Sequence, residues 1–232
     1  NPSRPEETFY ENIQKLPAAS CLYYYLPQKE LSIEQYWDIN PEKQNKKITD
    51  EEAIEQFKHL FSTSIKRRLR SDVSIGTSLS GGLDSSSVMA AISDTKSLSY
   101  QPQAFTAIFP GFEKDEFSFS QQVVNQYNLQ QHTVSLNASE LLTDWNKLCN
   151  HQEEPFGSAS IYAQYKVFEL AKQQNVKVLL DGQGADETLA GYSKYYKWYW
   201  QELFRNRKLF RSKELKTSKE LGVKEKFDFK NM

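Results

Sequence analysis

The run Thr77-Ser78-Leu79-Ser80-Gly81-Gly82-Leu83-Asp84-Ser85-Ser86-Ser87-Val88 constrains this chain more than any other stretch. Before it, Val73-Ser74-Ile75-Gly76 alternates like a short strand. After it, Ser85 to Ile92 reads as a helix with small polar residues in its first turn. A glycine pair between a strand end and a helix start leaves several backbone N–H groups in one concave turn. The helix dipole adds positive potential there, and the combination suits phosphate oxygens. Ser80, Ser85 and Ser86 can add hydroxyl donors. Asp84 would repel a bare anion, so it fits only if a divalent cation bridges it to the phosphates. The spacing matches neither GxxxxGK[ST] nor GxGxxG. A glycine-rich turn that binds nothing is the plain alternative.

A second glycine-rich stretch has similar features. Val176 to Leu180 is a near-continuous apolar strand, followed by Asp181-Gly182-Gln183-Gly184-Ala185-Asp186-Glu187-Thr188-Leu189-Ala190-Gly191-Tyr192. Its glycines let backbone approach a ligand closely, and two adjacent carboxylates stand at a helix start. Acids capping a helix are common in any protein. The weight comes from the pairing with Asp84. Between the two loops the chain alternates strands at Gln103–Phe109 and His132–Leu136 with helices at Asp115–Gln126, Leu141–Asn150 (Asn137 or Ser139 as cap) and Ser158–Gln174. That alternation predicts an α/β fold, a parallel sheet flanked by helices with right-handed crossovers. Ligands in such sheets bind beyond the carboxyl ends of the strands. Both loops are expected at that edge, converging on one Mg²⁺–nucleotide.

The flanking regions say less. Residues 1–7 read as a frayed start, and residues 9–39 as short extended pieces joined by turns. Residues 41–47 are a polar linker by composition. Thr49 and Glu52 form a capping box for an amphipathic helix over 50–70, with Ile54, Phe57, Leu60, Phe61, Ile65 and Leu69 on one face. The basic end of that helix, residues 66–70, follows from the dipole rather than from RNA binding. From Ser193 on, an aromatic run leads into a basic stretch in which Phe204, Leu209, Phe210 and Leu215 could share a helical face. The chain end at Asn231-Met232 carries no stop signal for a fold. Net charge is −1 over 232 residues, so nucleic acid is not an expected partner. Cys21 and Cys149 have no CxxC partner and read as two buried thiols in a reducing cytoplasm. His59, His132 and His151 share no metal spacing and read as structural. No membrane span or signal peptide is visible. A soluble cytoplasmic location is the expectation.

The string SGGLDSS resembles the pyrophosphate loop of the ATP pyrophosphatases, enzymes that cleave ATP between the α and β phosphates. SLSGGLDSS together with LLDGQGADETLAGY resembles the synthetase domain of the asparagine synthetase B family, the glutamine-hydrolysing asparagine synthases. Ile13 to Ala18 and Tyr36-Trp37 resemble the region joining that family's two domains. The resemblance implies the adenine nucleotide alpha-hydrolase-like fold, with ATP and Mg²⁺ as cofactors. It implies adenylation of a carboxylate, aspartate first, release of pyrophosphate, and displacement of AMP by ammonia. Carried over by position, Leu79, Gly182, Asp181 and Ala107 would meet the adenosine. Ser80, Gly81, Gly82, Ser85 and Ser86 would hold pyrophosphate, while Asp84 and Asp186 would ligate Mg²⁺. Gln183 and Glu187 are the candidate catalytic residues.

The departures are as telling as the matches. The family's amino-terminal glutaminase domain opens with a cysteine; this chain opens with Asn1. Residues 1–47 are therefore expected to be a remnant of that domain plus a linker, and 48–232 the synthetase domain without its carboxy-terminal part. The family's glutamate is Gln183 here, which cannot serve as a base but can orient a substrate. Asp181 replaces the usual serine, which leaves the accepted carboxylate open. The glutaminase domain of a longer chain and a second copy in a homodimer are further expected partners. Two other readings stay open: another pyrophosphate-loop enzyme such as a tRNA thiolase, and a nucleotide-binding assembly module without catalysis.

Overall fold

The structure, a computed structural model, describes residues 6–45, 47–95, 101–113 and 115–227. Most of the frayed start and the Asn231-Met232 end lie outside the described residues. In chain order the first elements are β1 (Ser20–Tyr25), β2 (Glu30–Gln35), α1 (Asp50–Arg68), β3 (Ile75–Ser78), α2 (Leu83–Ser93), β4 (Gln103–Ile108) and α3 (Phe117–Tyr127). There follow β5 (Gln130–Ser135), α4 (Ala138–Gln152), α5 (Ser160–Gln173), β6 (Val178–Leu179), α6 (Ala185–Leu189), α7 (Ser193–Arg205), a 3₁₀ turn (Leu209–Arg211) and α8 (Glu214–Glu220). The chain divides into two units. One comprises Asn1–Asp72, Ala107–Asp115 and Thr133–Asn175; the other comprises Val73–Thr106, Glu116–His132 and Val176–Met232.

The second unit is built on a sheet of order β5-β4-β3-β6. β3 runs parallel to β4, with Thr77 opposite Ala104, and parallel to β6, with Gly76 opposite Leu179. The first strand of this sheet is thus interior. The chain moves outward on one side through β4 and β5, then returns to the other side as β6. That reversal falls between β3 and β6, and such a switch point opens a crevice beyond the carboxyl ends of the two strands. Helix α2 buries Ser85, Val88, Met89 and Ile92, positions that recur at helical spacing on one face. It packs on β3 and α3. Ile75, Leu79, Ala104 and Phe105 complete the buried centre.

The first unit holds the β1–β2 hairpin, antiparallel with Ser20 opposite Gln35, together with α1, α4 and α5. Both bonds of the capping box at Thr49 and Glu52 form. Helices α4 and α5 pack together around buried Leu148, Tyr162, Val167 and Ala171. Lys166 bridges Asp144 at 3.2 Å and Glu169 at 2.7 Å, and Lys147 reaches Glu169 at 2.6 Å. These lysines hold the Glu169 carboxyl below its ordinary range, Lys147 first. Burial, then a hydrogen bond to Asp144, pushes the Tyr162 hydroxyl up to about 12.

Several expectations are corrected. The cysteines are free but not buried: Cys21 is exposed and Cys149 only half-buried. Cys21 lies on β1 of the two-stranded β1–β2 ribbon, a narrow sheet that leaves much of its surface open. The apolar face of α1 buries Ile65, while Ile54, Phe57 and Leu60 are exposed. The face proposed for Phe204, Leu209, Phe210 and Leu215 does not exist as one helix. The chain leaves α7 through Arg207 in the left-handed region, so Leu209 is buried and Phe210 is exposed. The strand expected over 176–180 pairs only at Val178 and Leu179, with Leu180 adding a bond to the Gly76 carbonyl.

Candidate active site

The two glycine loops leave the adjacent strands β3 and β6 at the same sheet edge. Three contacts join them. The Ser78 N–H donates to Asp181 Oδ1 at 3.2 Å. The Thr77 hydroxyl donates to the Leu180 carbonyl. Gly182 lies so close to the first turn of α2 that an added Cβ would stand 2.8 Å from Asp84 Cβ and 3.2 Å from Ser85 N. Only a glycine allows this approach. Asp181, Gly182, Asp84 and Ser85 are therefore neighbours, although about a hundred residues separate them in sequence.

The first loop is shaped from within. Ser80 Oγ accepts from the Gly82 N–H at 3.1 Å and shares a hydrogen bond with Ser85 Oγ at 3.0 Å. Gly81 takes φ +92°, and a Cβ there would sit 2.5 Å from the Ser120 nitrogen. Leu79 is 1% exposed. Its N–H donates to the Phe105 carbonyl at 2.8 Å, and its carbonyl accepts from the Thr106 hydroxyl at 2.7 Å. Gly82 starts α2 without any side-chain cap. An uncapped helix start leaves its first N–H groups pointing outward, where an anion satisfies them.

The second loop carries its carboxylates on the short helix α6. Asp186 is half-buried, with Gln183 and Glu187 exposed. The Asp186 carboxylate packs against Gly191. Glu187 Oε1 accepts from the Tyr192 hydroxyl at 3.0 Å, which raises the Tyr192 hydroxyl above its ordinary value. Sequence reasoning did not foresee that Tyr192 bond, nor the strut that Asp181 forms to Ser78. Ala107 lies on β4, next to Thr106, as a half-buried residue of the other unit. His132 stacks on Phe105 at 5.2 Å between ring centres.

The donor set fits a nucleotide phosphate with a hard cation. Ser78 Oγ and Ser86 Oγ are buried without a hydrogen-bond partner, which is costly unless something else bonds them. Among the described residues no group of three or more His, Cys, Asp or Glu could hold a metal alone. Mg²⁺ is commonly held by one or two carboxylates with phosphate oxygens and water completing the shell. Asp84 and Asp186 could supply that share.

Fold and site together define an α/β domain whose two glycine loops stand at the switch point of a parallel sheet. The asparagine synthase family model matches residues 56–227, and this chain belongs to that family. It is 33% identical over 201 residues to a putative glutamine-hydrolysing asparagine synthetase 2 of Methanocaldococcus jannaschii, covering 85% of this chain and 38% of that protein. It is 29% identical over 197 residues to the glutamine-hydrolysing asparagine synthetase 2 of Bacillus subtilis, covering 80% of this chain and 26% of that protein. The chain thus spans well under half the length of these relatives. Among solved structures, the NH3-dependent NAD synthetase from Campylobacter jejuni overlaps at a TM-score of 0.41 and 16% identity, over 60% of each chain.

Proposed function

We propose that this chain is the ATP-using part of an amide-forming ligase. A carboxylate, aspartate first, attacks the α phosphorus of ATP. The bond between that phosphorus and the α–β bridging oxygen breaks, and pyrophosphate leaves. Ammonia then attacks the acyl carbon, and AMP departs. The domain arrangement proposed is residues 1–47 as the tail of a glutaminase domain and linker, with 48–232 as the synthetase domain. A glutaminase domain elsewhere in a longer protein would supply the ammonia.

The observation that supports this reading is the close approach of Gly182 to Asp84 and Ser85, which brings the two loops together. The uncapped start of α2 and the unpartnered Ser86 hydroxyl would receive the pyrophosphate oxygens as the bond breaks, and donors aimed at developing charge favour that step. Mg²⁺, held by Asp84 and Asp186, would supply further neutralisation of the leaving group. Gly82 and Ser80 shape the loop, with Gly81 and Ser85. Leu79, Asp181 and Gly182 would border the adenosine. Gln183 would orient the substrate by its amide, and Glu187, tied to Tyr192, is the second candidate catalytic residue.

Substrate-dependent exchange of labelled pyrophosphate into ATP tests the proposal. Exchange driven by aspartate, and lost in Asp84→Ala, is expected. Mg·ATP binding without exchange on any carboxylate would instead mark a nucleotide-binding module.

A further inference from the structure

Behind the first loop lies a chain of polar side chains whose two ends both touch it. Thr106 is 2% exposed and Ser120 is fully buried. The Thr106 hydroxyl donates to the Leu79 carbonyl at 2.7 Å, and its oxygen accepts from Gln131 Nε2 at 2.9 Å. The same amide nitrogen donates to Ser120 Oγ at 3.0 Å. Gln131 Oε1 accepts from Gln121 Nε2 at 2.6 Å. Ser120 Oγ donates onward to the Phe117 carbonyl at 2.8 Å, while the Ser120 nitrogen and Phe119 are what Gly81 abuts.

Apolar side chains could fill this space without the desolvation cost of the buried Thr106 and Ser120 and the half-buried Gln121 and Gln131. Here the bonds run in one direction, from Gln121 through Gln131 and Thr106 to Leu79, and successive bonds of that kind polarise one another. Gln131 uses both of its N–H groups, one toward each end of the loop.

We propose that Gln131 is a positioning residue for the phosphate loop. Through Thr106 it fixes Leu79, and through Ser120 it fixes the wall against Gly81. The backbone N–H groups between those two anchors are held in a receiving arrangement before a ligand arrives. The proposal rests on the reading of this loop as an ATP site.

Mg·ATP affinity of the full chain is the measurement, by calorimetry, with thermal unfolding followed in parallel. Thr106→Val removes the bond to Leu79 at nearly constant volume, and Thr106→Ser restores the hydroxyl. Affinity is expected to fall about tenfold in the valine variant, the equivalent of one lost buried hydrogen bond. The serine variant is expected to recover it. Gln131→Glu supplies the second readout. Its carboxylate can only accept, so it draws the Thr106 hydroxyl away from Leu79; protonation returns a donor. Burial raises a carboxyl's pKa, so the deficit relative to the unaltered chain should shrink as pH falls from about 8 toward 5.5. A folded Thr106→Val with undiminished affinity overturns the proposal. If that variant does not fold, parallel pH profiles for Gln131→Glu and the unaltered chain overturn it. An unaltered chain that does not bind Mg·ATP brings down the ATP reading itself, which is a distinct result.

Discussion

Gly81 and Gly182 are the positions where one added methyl group separates stability from binding. At Gly81 the backbone is in the left-handed region and a Cβ would meet the Ser120 backbone at 2.5 Å. Gly81→Ala is expected to cost about 2 kcal/mol or more in folding free energy, since neither conformation nor space admits it. Urea unfolding measures it. At Gly182 the clash is with Asp84 Cβ and the start of α2. Gly182→Ala should push the two loops apart and weaken Mg·ATP by a larger factor than its loss of stability accounts for. Equal effects on both quantities would argue against a ligand shared by the loops.

At the scale of elements, the α4–α5 pair is held by ionised groups as well as by burial. The Glu169 carboxyl is lowered from its reference value of 4.5 by Lys147 and Lys166. A lowered carboxyl pKa favours the folded state above the reference value, and the contribution is lost as pH falls through the folded pKa. Glu169→Gln should lower stability by about 1 kcal/mol at neutral pH, because Lys147 is half-exposed and screened. That corresponds to a melting shift of about 2–4 °C. The gap should close below pH 4.5. Helix α1 offers an independent case. Thr49 accepts from the Glu52 N–H at 3.2 Å, and Glu52 Oε2 accepts from the Thr49 N–H at 3.1 Å. Thr49→Ala should cost about 1 kcal/mol, with no change in Mg·ATP affinity.

At the scale of the whole molecule, a ligand that binds only the folded chain stabilises it by mass action, by about 2.7 kcal/mol at a hundredfold excess over its dissociation constant, and so raises its melting temperature. Saturating Mg·ATP is expected to shift the transition of the second unit upward, and Asp84→Ala to remove most of that shift. No helix among the described residues is long and apolar enough to cross a membrane. The chain by itself determined whatever neighbouring residues control: the capping box at Thr49, the glycine turn at 81 and 82, the helix that follows from Ser85 to Ile92, and the alternation of strands with helices. Backbone preferences act over a few residues, so these were legible. Only the tertiary structure decided that β6 lies beside β3, because strand pairing joins residues such as Gly76 and Leu179 that lie far apart in the chain. It also decided that Gln131 backs the loop, that Cys21 is uncovered, and that half the apolar stripe of α1 is exposed. Burial depends on what the rest of the fold places against a surface, and no local pattern carries that information.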